Sequence, residues 1–467
     1  MIPFFPTSIA KKGLSLYFIS LIIVTVLFMD YALGIPFFLI GFVWVVGFFL
    51  LSSYCSKKWL KISQKEFQLK VFFAALGLRF LWVFFSYYFY LIKTGIPFEF
   101  ATADALGYYD DSLWYSQSSV SEMWRELFIN RKGVSDSGYV FYLSLLAKMT
   151  GKSIILPRLV NSMFSAVTCV LIYLLAKRNI GEEGGRLASL FACFMPNLIY
   201  YCGLHLKETV MLFLIVAFLE RTDYLFRSKH YTVLTVVIPV VLLLSLFTFR
   251  TVLGAACAFA FVSGLVFTSS SVIKRRKRIM LILWGVLAAV TLAGGVIMNE
   301  IESTWDDRAN NQINKRATQT AKGNLWAKYA TGTVMAPMIF VLPFPTMVDV
   351  DEQYNQQIVS GGNYVRNFMG GFVLLAFFSA IFVKKNWRDM SLIITYVVAY
   401  LGIISVSGFA NSERFLLPGI PILLVLAAYG ITLLNAKNYR LFKIWCWIVP
   451  VMIVGWAVFK LGSRGLL

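Results

Sequence analysis

Long, uninterrupted apolar runs dominate this chain and restrict it to one kind of environment. They include SLYFISLIIVTVLF, IPFFLIGFVWVVGFFLL and YTVLTVVIPVVLLLSLFTF. A helix needs about 20 apolar residues to cross a bilayer, and the lipid interior accepts only backbones that satisfy their own hydrogen bonds. The runs do not alternate apolar with polar residues, as barrel strands do. The sequence therefore predicts an all-α polytopic membrane protein, in keeping with 59% hydrophobic and 14% charged residues among 467.

The positions of lysine and arginine predict how the chain threads the membrane, because basic connectors stay in the cytoplasm. The basic connectors are Lys11–Lys12, 56–65, 176–179, 221–230, 274–278, 384–389 and 435–443. Placing all of them inside requires about thirteen spans, with the N-terminus cytoplasmic and the C-terminus outside. The expected spans are 14–30, 34–54, 69–92, 153–176, 185–203, 207–222, 231–249, 251–270, 279–299, 367–383, 391–408, 415–435 and 441–460.

This path divides the chain into an N-terminal transmembrane hairpin (1–68), a core (69–435) and a C-terminal transmembrane helix (436–467). Two long external segments result, 93–152 and 300–366. In the first we expect short interfacial helices, with 115–130 the best candidate because Met123, Trp124, Leu127 and Phe128 have helical spacing. The second should form a mobile flap. Within it, 333–348 should be re-entrant or lie on the outer face, since a full crossing would expel 384–389 from the cytoplasm.

Every unusual polar group falls on the predicted outer side, although only the basic connectors fixed that side. The stretch ATADALGYYDDSLWYSQ places Asp104, Asp110 and Asp111 beside Tyr108 and Tyr109. Solvated loop carboxylates and an interfacial aromatic belt would also explain these residues. The external turns add His205, Lys207, Glu208, Arg250, Glu413 and Arg414.

These turn residues each have an ordinary interpretation as well. A glutamate at a helix start is favoured by the dipole, and a lysine there can extend to the interface. Arg250 and Arg414 could reach lipid headgroups, but the planar fork of arginine also pairs two phosphate oxygens. Ionisable groups at membrane depth are costly to keep without use. Together the residues indicate an active site at the outer interface.

Carboxylates beside phosphate-binding arginines suggest sugar transfer from a lipid phosphate. The carboxylate deprotonates the acceptor and arginine stabilises the leaving phosphate. We take Asp104 as the general base, with Asp110 and Asp111 as the other catalytic candidates, able to hold the acceptor sugar or a cation. The substrate-binding candidates are Tyr108, Tyr109, His205, Lys207, Glu208, Arg250, Glu413 and Arg414.

The donor and partners follow from what the chain lacks in pattern. No Walker loop or nucleotide-binding fold is recognisable, which favours a polyprenyl-phosphate sugar as donor. The metal requirement stays open, with Mg²⁺ or Mn²⁺ as the candidate cations. The run KRRKR (274–278) predicts an anchor to anionic lipid rather than a nucleic-acid site.

One stretch also resembles a known family. Residues 137–208, from SGYVFYLSLLAKMTG to NLIYYCGLHLKE, resemble the core of GT-C glycosyltransferases, in particular the branch of protein O-mannosyltransferases and lipid A aminoarabinose transferases. DALGYYD is similar to the aspartate-bearing first external loop of that branch, and SERFLLPGIPILLVLAAYG to its late arginine-proline span. The resemblance covers about 75–435 and implies a GT-C-like bundle in which Asp104 is the catalytic aspartate and Arg414 a phosphate ligand.

Alternatives remain at this stage. A polysaccharide or O-antigen-type polymerase, which joins lipid-linked repeat units, would share the span count and the external arginines. A flippase or transporter would show inverted repeats and charged, interrupted helices at mid-span, and neither is recognisable here. The acceptor, whether glycan, lipid or protein, is not specified. We expect the bacterial inner membrane as the location, with the site on the extracytoplasmic face.

Overall fold

The computed structural model describes residues 2–130, 134–228, 232–269, 273, 338–350, 353–406, 412–462 and 465–466. The described secondary structure is helical apart from one isolated β-bridge. Seven helices are long and apolar enough to cross a membrane, and three shorter apolar helices accompany them. The prediction of a polytopic helical bundle is confirmed at this level, whereas the predicted span 279–299 lies outside the described residues.

The helices are numbered here in chain order. They are α1 (Thr7–Leu27), α2 (Ile35–Lys58), α3 (Gln64–Thr94), α4 (Ala103–Ser116), α5 (Val120–Trp124), α6 (Ser137–Thr150), α7 (Ile155–Phe194), α8 (Pro196–Tyr200), α9 (Glu208–Arg227), α10 (Val233–Phe249), α11 (Thr251–Phe267), α12 (Tyr354–Ile358), α13 (Ser360–Phe378), α14 (Ser391–Val406), α15 (Glu413–Leu416), α16 (Ile420–Thr432) and α17 (Asn438–Gly462).

The outer surface of the long helices is apolar. Ile22 is 60% exposed, Phe73 63%, Leu81 70% and Trp447 77%. Large apolar side chains in such numbers on an outside surface match a lipid environment, where contact with water does not penalise them. The polar residues described below therefore stand out by being inside the bundle.

A glycine joins two of the predicted spans into a tight hairpin. Helix α7 is interrupted at Gly181, whose φ of 87° lies in the left-handed region that favours glycine. The two arms then run side by side, since Ser189 donates a hydrogen bond to the carbonyl of Cys169 at 2.8 Å. The predicted spans 153–176 and 185–203 correspond to these arms, with α8 following the second.

The first long external segment contains helices, as predicted for 115–130. Helix α5 begins with a capping box at Ser119, and a π-helical turn, Arg125–Asn130, continues it. Met123 is fully buried, whereas Trp124 is 52% exposed and packs its ring 4.4 Å from that of Phe128. The segment therefore has one inward and one outward aromatic face.

The second long external segment differs from its prediction. Residues 338–350 are irregular and largely buried rather than a spanning helix, and the Leu342–Pro343 bond is cis. The predicted flap is wrong for 354–366, which belongs to α12 and α13. The cause is close packing, because a Cβ at Gly361 would approach the carbonyl oxygen of Gly41 on α2 to 2.7 Å. The part of the predicted flap at 300–337 lies outside the described residues.

Contacts between connectors define two ends of the bundle. At the end that we call the site end, Asp349 donates to the carbonyl of Tyr31, and Asn355 donates to that of Phe100. The connectors before α4, α9 and α11 meet there. At the opposite end, Arg186 donates to the carbonyls of 59–62, and the connectors 228–232 and 384–390 lie nearby. The polar residues predicted to share one side are found at the site end.

Candidate active site

A buried carboxylate, Glu208, is the centre of the site. It is the first residue of α9 and its side chain is fully buried. The helix start favours a negative charge there, and two arginines face it. Arg414 donates from Nε to Oε1 of Glu208, and Nη2 of Arg250 lies 3.7 Å from the same oxygen.

Four distant chain segments converge on this carboxylate. Arg250 occupies the single-residue connection between α10 and α11, and its guanidinium lies 4.8 Å over the ring of Phe415. Arg414, on α15, also donates from Nη1 to Asp104 in the first turn of α4. Three of the predicted phosphate-site residues are thus directly linked to the predicted base.

A second ion pair lies beside the first. Lys207 contacts Asp136, and its ammonium stands 5.9 Å over the ring of Tyr108. Burial lowers the pKa of Lys207 and the charge of Arg250 lowers it further, while a contacting carboxylate favours the charged form. Burial also raises the pKa of Tyr108 to about 12, so its hydroxyl stays protonated.

Asp136 is a site residue that the sequence reasoning missed. It has φ 71° and precedes α6, in a left-handed conformation that aspartate tolerates better than most residues. Its context, SDSGY, is typical of an ordinary helix start. The signal that could have found it is the need of buried Lys207 for an acid partner.

The site is graded from buried to open. The side-chain exposures are 0% for Glu208, 4% for Lys207, 9% for Arg250, 22% for Arg414, 37% for Asp136 and 58% for Asp104. Two buried atoms, Oε2 of Glu208 and Nη1 of Arg250, have no hydrogen-bond partner among the described residues. Three positive and three negative groups therefore line a polar site that opens past Asp104 and Asp136.

Glu413 does not join this site, although Arg414 follows it directly. Its carboxylate accepts a hydrogen bond from Asn363 at 3.1 Å, and Asn197 donates to Asn363 at 3.2 Å. These groups belong to α13 and α8. The assignment of Glu413 to substrate binding is not supported by its position, since it faces the helix bundle and not Glu208.

Asp110 and Asp111 are exposed on α4, and the structure shows no ion pair for either within the part of the chain that it describes. Asp111 is seven residues after Asp104, which places both on the same helix face. In the described ranges no three His, Cys, Asp or Glu side chains are grouped to hold a metal ion. A divalent cation stays a prediction. Asp349, in the acidic run DVDE (349–352), was also passed over, and its Oδ1 accepts from Gln357 at 2.9 Å.

His205 and Tyr109 lie next to the site in an aromatic environment. Their rings are 5.6 Å apart, and Phe98 is 6.1 Å from His205. The Tyr109 hydroxyl donates to the carbonyl of Lys152 at 3.0 Å. Burial lowers the pKa of His205 to about 3, so the imidazole is neutral. These two residues contact each other and not the arginines.

Comparisons with known proteins give two related structures. No family model matches the chain, and no curated protein matches it. It is similar to an oligosaccharyltransferase from Archaeoglobus fulgidus solved with zinc and sulfate, with a TM-score of 0.43, 12% identity and 85% of this chain covered. It is also similar to the oligosaccharyltransferase AglB of that organism in complex with an inhibitory peptide and a dolichol-phosphate, with a TM-score of 0.43, 10% identity and 86% covered. The chain spans 53% and 56% of those two proteins.

Proposed function

We propose that this integral membrane protein transfers a sugar from a polyprenyl-phosphate donor to an acceptor on the extracytoplasmic face of the membrane. The observation that carries the proposal is the convergence of Arg250, Arg414 and Asp104 at the site end. The basic connectors gather at the opposite end, which supports an outward-facing site.

The arginines suit a phosphodiester. Arginine pairs phosphate oxygens through a planar fork, and Glu208 holds both guanidiniums from below. Nη1 of Arg250 is buried and free to donate. Lys207 adds a third positive charge one residue away. Groups fixed in this way before the substrate arrives need little rearrangement during the reaction, which is the main source of electrostatic catalysis.

Binding of a phosphate must release one of the carboxylates, because the site is otherwise neutral. Asp104 is the most exposed of them, and it contacts Arg414 at the rim. We infer that the donor phosphate takes the place of Asp104 on Arg414. The displaced carboxylate is then free to act as a base, so donor binding prepares the site for the acceptor.

The reaction then proceeds by a single displacement. The acceptor oxygen attacks the anomeric carbon and forms the new glycosidic bond. The bond from that carbon to the phosphate oxygen breaks, and its electron pair remains on the polyprenyl phosphate, which Arg250 and Arg414 stabilise. The acceptor proton moves to Asp104 and later to water.

The experiment uses the full chain, purified in detergent. Mass spectrometry of copurified lipids should find a polyprenyl-phosphate sugar with the wild type and lose it in the Arg250→Ala, Arg414→Ala double variant. Incubation with that lipid should release polyprenyl phosphate. A product longer by one sugar supports the proposal. A ladder of multi-sugar repeats would instead assign polymer joining, and failure to bind any polyprenyl-phosphate sugar would overturn both.

A further inference from the structure

A second cluster of buried polar groups lies beside the site. It consists of Glu99, Arg158, Asn161 and His205, which we call the Arg158 cluster. They come from the connector after α3, the first turns of α7 and the connector before α9. All four are at least nine-tenths buried.

Arg158 differs from the other fully buried arginine, Arg79. Arg79 donates from all three nitrogens, to Ser165 at 2.6 Å and to the carbonyls of 75, 192 and 193 at 3.2 Å. Arg158 makes one hydrogen bond, from Nη2 to the carbonyl of Pro97 at 2.7 Å. Its Nε and Nη1 are buried without a partner in the described structure.

The neighbours of Arg158 have the same deficit. Oε2 of Glu99, Nδ2 of Asn161 and both ring nitrogens of His205 are buried and lack partners within the described residues. Buried polar groups are nearly always hydrogen-bonded. A group of adjacent exceptions from three chain segments indicates that the missing partner is a ligand with several donors and acceptors.

The chemistry of the cluster points to a neutral ligand. The guanidinium of Arg158 lies within electrostatic reach of the Glu99 carboxylate, and His205 is uncharged. A carboxylate facing the ligand would repel a second phosphate. Sugar hydroxyls, which donate and accept, suit this mixture of amide, guanidinium, imidazole and carboxylate. The Phe98 ring, 5.4 Å from the Arg158 guanidinium, adds an aromatic surface.

The cluster is also close enough to the phosphate site to share a ligand. Glu99 lies within electrostatic reach of Arg414 and Glu208. His205 is two residues before Lys207 and three before Glu208. A phosphate on the arginines and its attached sugar would therefore fall on adjoining groups.

We propose that the Arg158 cluster binds the hydroxyl groups of the sugar carried by the donor lipid. The proposal rests on the proposed function and adds a specificity site to it. A site that hydrogen-bonds a ligand hydroxyl rejects analogues without it, because the buried groups are then left unpaired.

The test compares two lipids of equal charge. One is a panel of undecaprenyl-phosphate sugars carrying glucose, galactose, mannose or N-acetylglucosamine, and the other is the methyl phosphodiester of the same lipid. Glu99→Gln and Asn161→Leu keep the side-chain shape and so should fold. Asn386→Leu, at the opposite end, is the matched control. Binding is measured by intrinsic tryptophan fluorescence in detergent.

We expect the wild type to bind the best sugar lipid about tenfold more tightly than the methyl diester. Each cluster variant should remove most of that ratio and leave affinity for the methyl diester within about twofold. Arg250→Ala should weaken both lipids equally. An unchanged ratio in folded Glu99→Gln and Asn161→Leu, or equal wild-type affinity for all lipids, would overturn the subsite and leave the proposed function intact. Wild type that binds no lipid would overturn the proposed function itself.

Discussion

The two ends of α9 each carry a fully buried glutamate that faces two arginines, but their hydrogen bonding differs. At the opposite end, Oε1 of Glu220 lies 2.9 Å from Arg178 and Oε2 contacts Arg221. Asp223 completes the network, accepting from Arg178 at 2.7 Å and from Arg227 at 3.0 Å. The charges there are saturated by one another.

At the site end the same residue types are left incomplete. Both arginines meet one oxygen of Glu208, so that Oε2 and one nitrogen of Arg250 have no partner in the described structure. Burial and the number of arginines therefore do not separate a structural network from a binding site. The distribution of donors over acceptors does.

The Glu220 network also has a clear mechanical role. Arg178 extends it to α7, and Arg227 donates to the carbonyl of Asp389 in the connector before α14 at 2.9 Å. Networks of this kind fix the relative positions of elements when every member is satisfied. We therefore expect variants at the two ends to differ in kind, affecting stability at one and activity at the other.

Asp104→Asn should give the largest effect and would break the comparison if it did not. The amide keeps the shape and removes the base, and loss of a general base lowers the rate about 10²- to 10⁴-fold. Affinity for the donor should stay equal or rise, since Asp104 no longer competes for Arg414. The measurements are single-turnover sugar transfer and donor binding by the purified variant.

Wild-type turnover by Asp104→Asn would contradict its assignment as the base. Asp111, two turns further along the same face of α4, would then be the next candidate. Asp110→Asn serves as the control, because its side chain lies on another face of the same helix.

Glu220→Gln and Glu208→Gln form a matched pair for stability. Removing the Glu220 charge leaves Arg178 and Arg221 without their buried counterion, and we expect a loss of about 3 kcal/mol in the free energy of unfolding. Glu208→Gln should cost less, because Arg414 keeps Asp104 and is partly exposed. Thermal unfolding in detergent measures both. Equal losses would show that the two ends are built alike.

Arg414→Ala should weaken donor binding by roughly 10- to 100-fold, the range for a hydrogen bond between charged groups. The phosphate contact exists in the ground state as well as the transition state, so KM should rise more than kcat falls. Arg178→Ala is the control, with unchanged KM per folded molecule and a lowered melting temperature. A kcat effect alone at Arg414 would argue against a phosphate ligand.

The sequence predicted the gathering of Asp104, Lys207, Glu208, Arg250 and Arg414, because basic connectors fix the direction of each span and thus which turns share a side. It could not assign partners within that group. Glu413 and Arg414 are adjacent on a helix, and successive residues point about 100° apart. Only the packing of α13 shows that one faces inward and the other the site.

The fold shows the same division. Long apolar runs predicted the helices, since lipid allows no other backbone there. The flap assigned to 354–366 failed because polar composition does not reveal that Gly361 packs on Gly41. Arg158 was not singled out for a comparable reason, as its missing partners appear only when connectors 60 residues apart in sequence are brought together.

Acid should destabilise the protein through the site end, and this gives the finest test of the comparison. The pKa of His205 is about 3 in the folded state and about 6.5 when unfolded. The unfolded chain therefore binds the proton first, and stability present above pH 6.5 is lost as the pH falls towards 3. At pH 5 the difference of about 1.5 units amounts to roughly 2 kcal/mol. Melting temperatures between pH 7.5 and 5 should fall less for His205→Asn than for the wild type or for His230→Asn, which alters the second of the two histidines. Identical pH slopes for all three would show that the imidazole of His205 is protonated without cost and is not held neutral by burial.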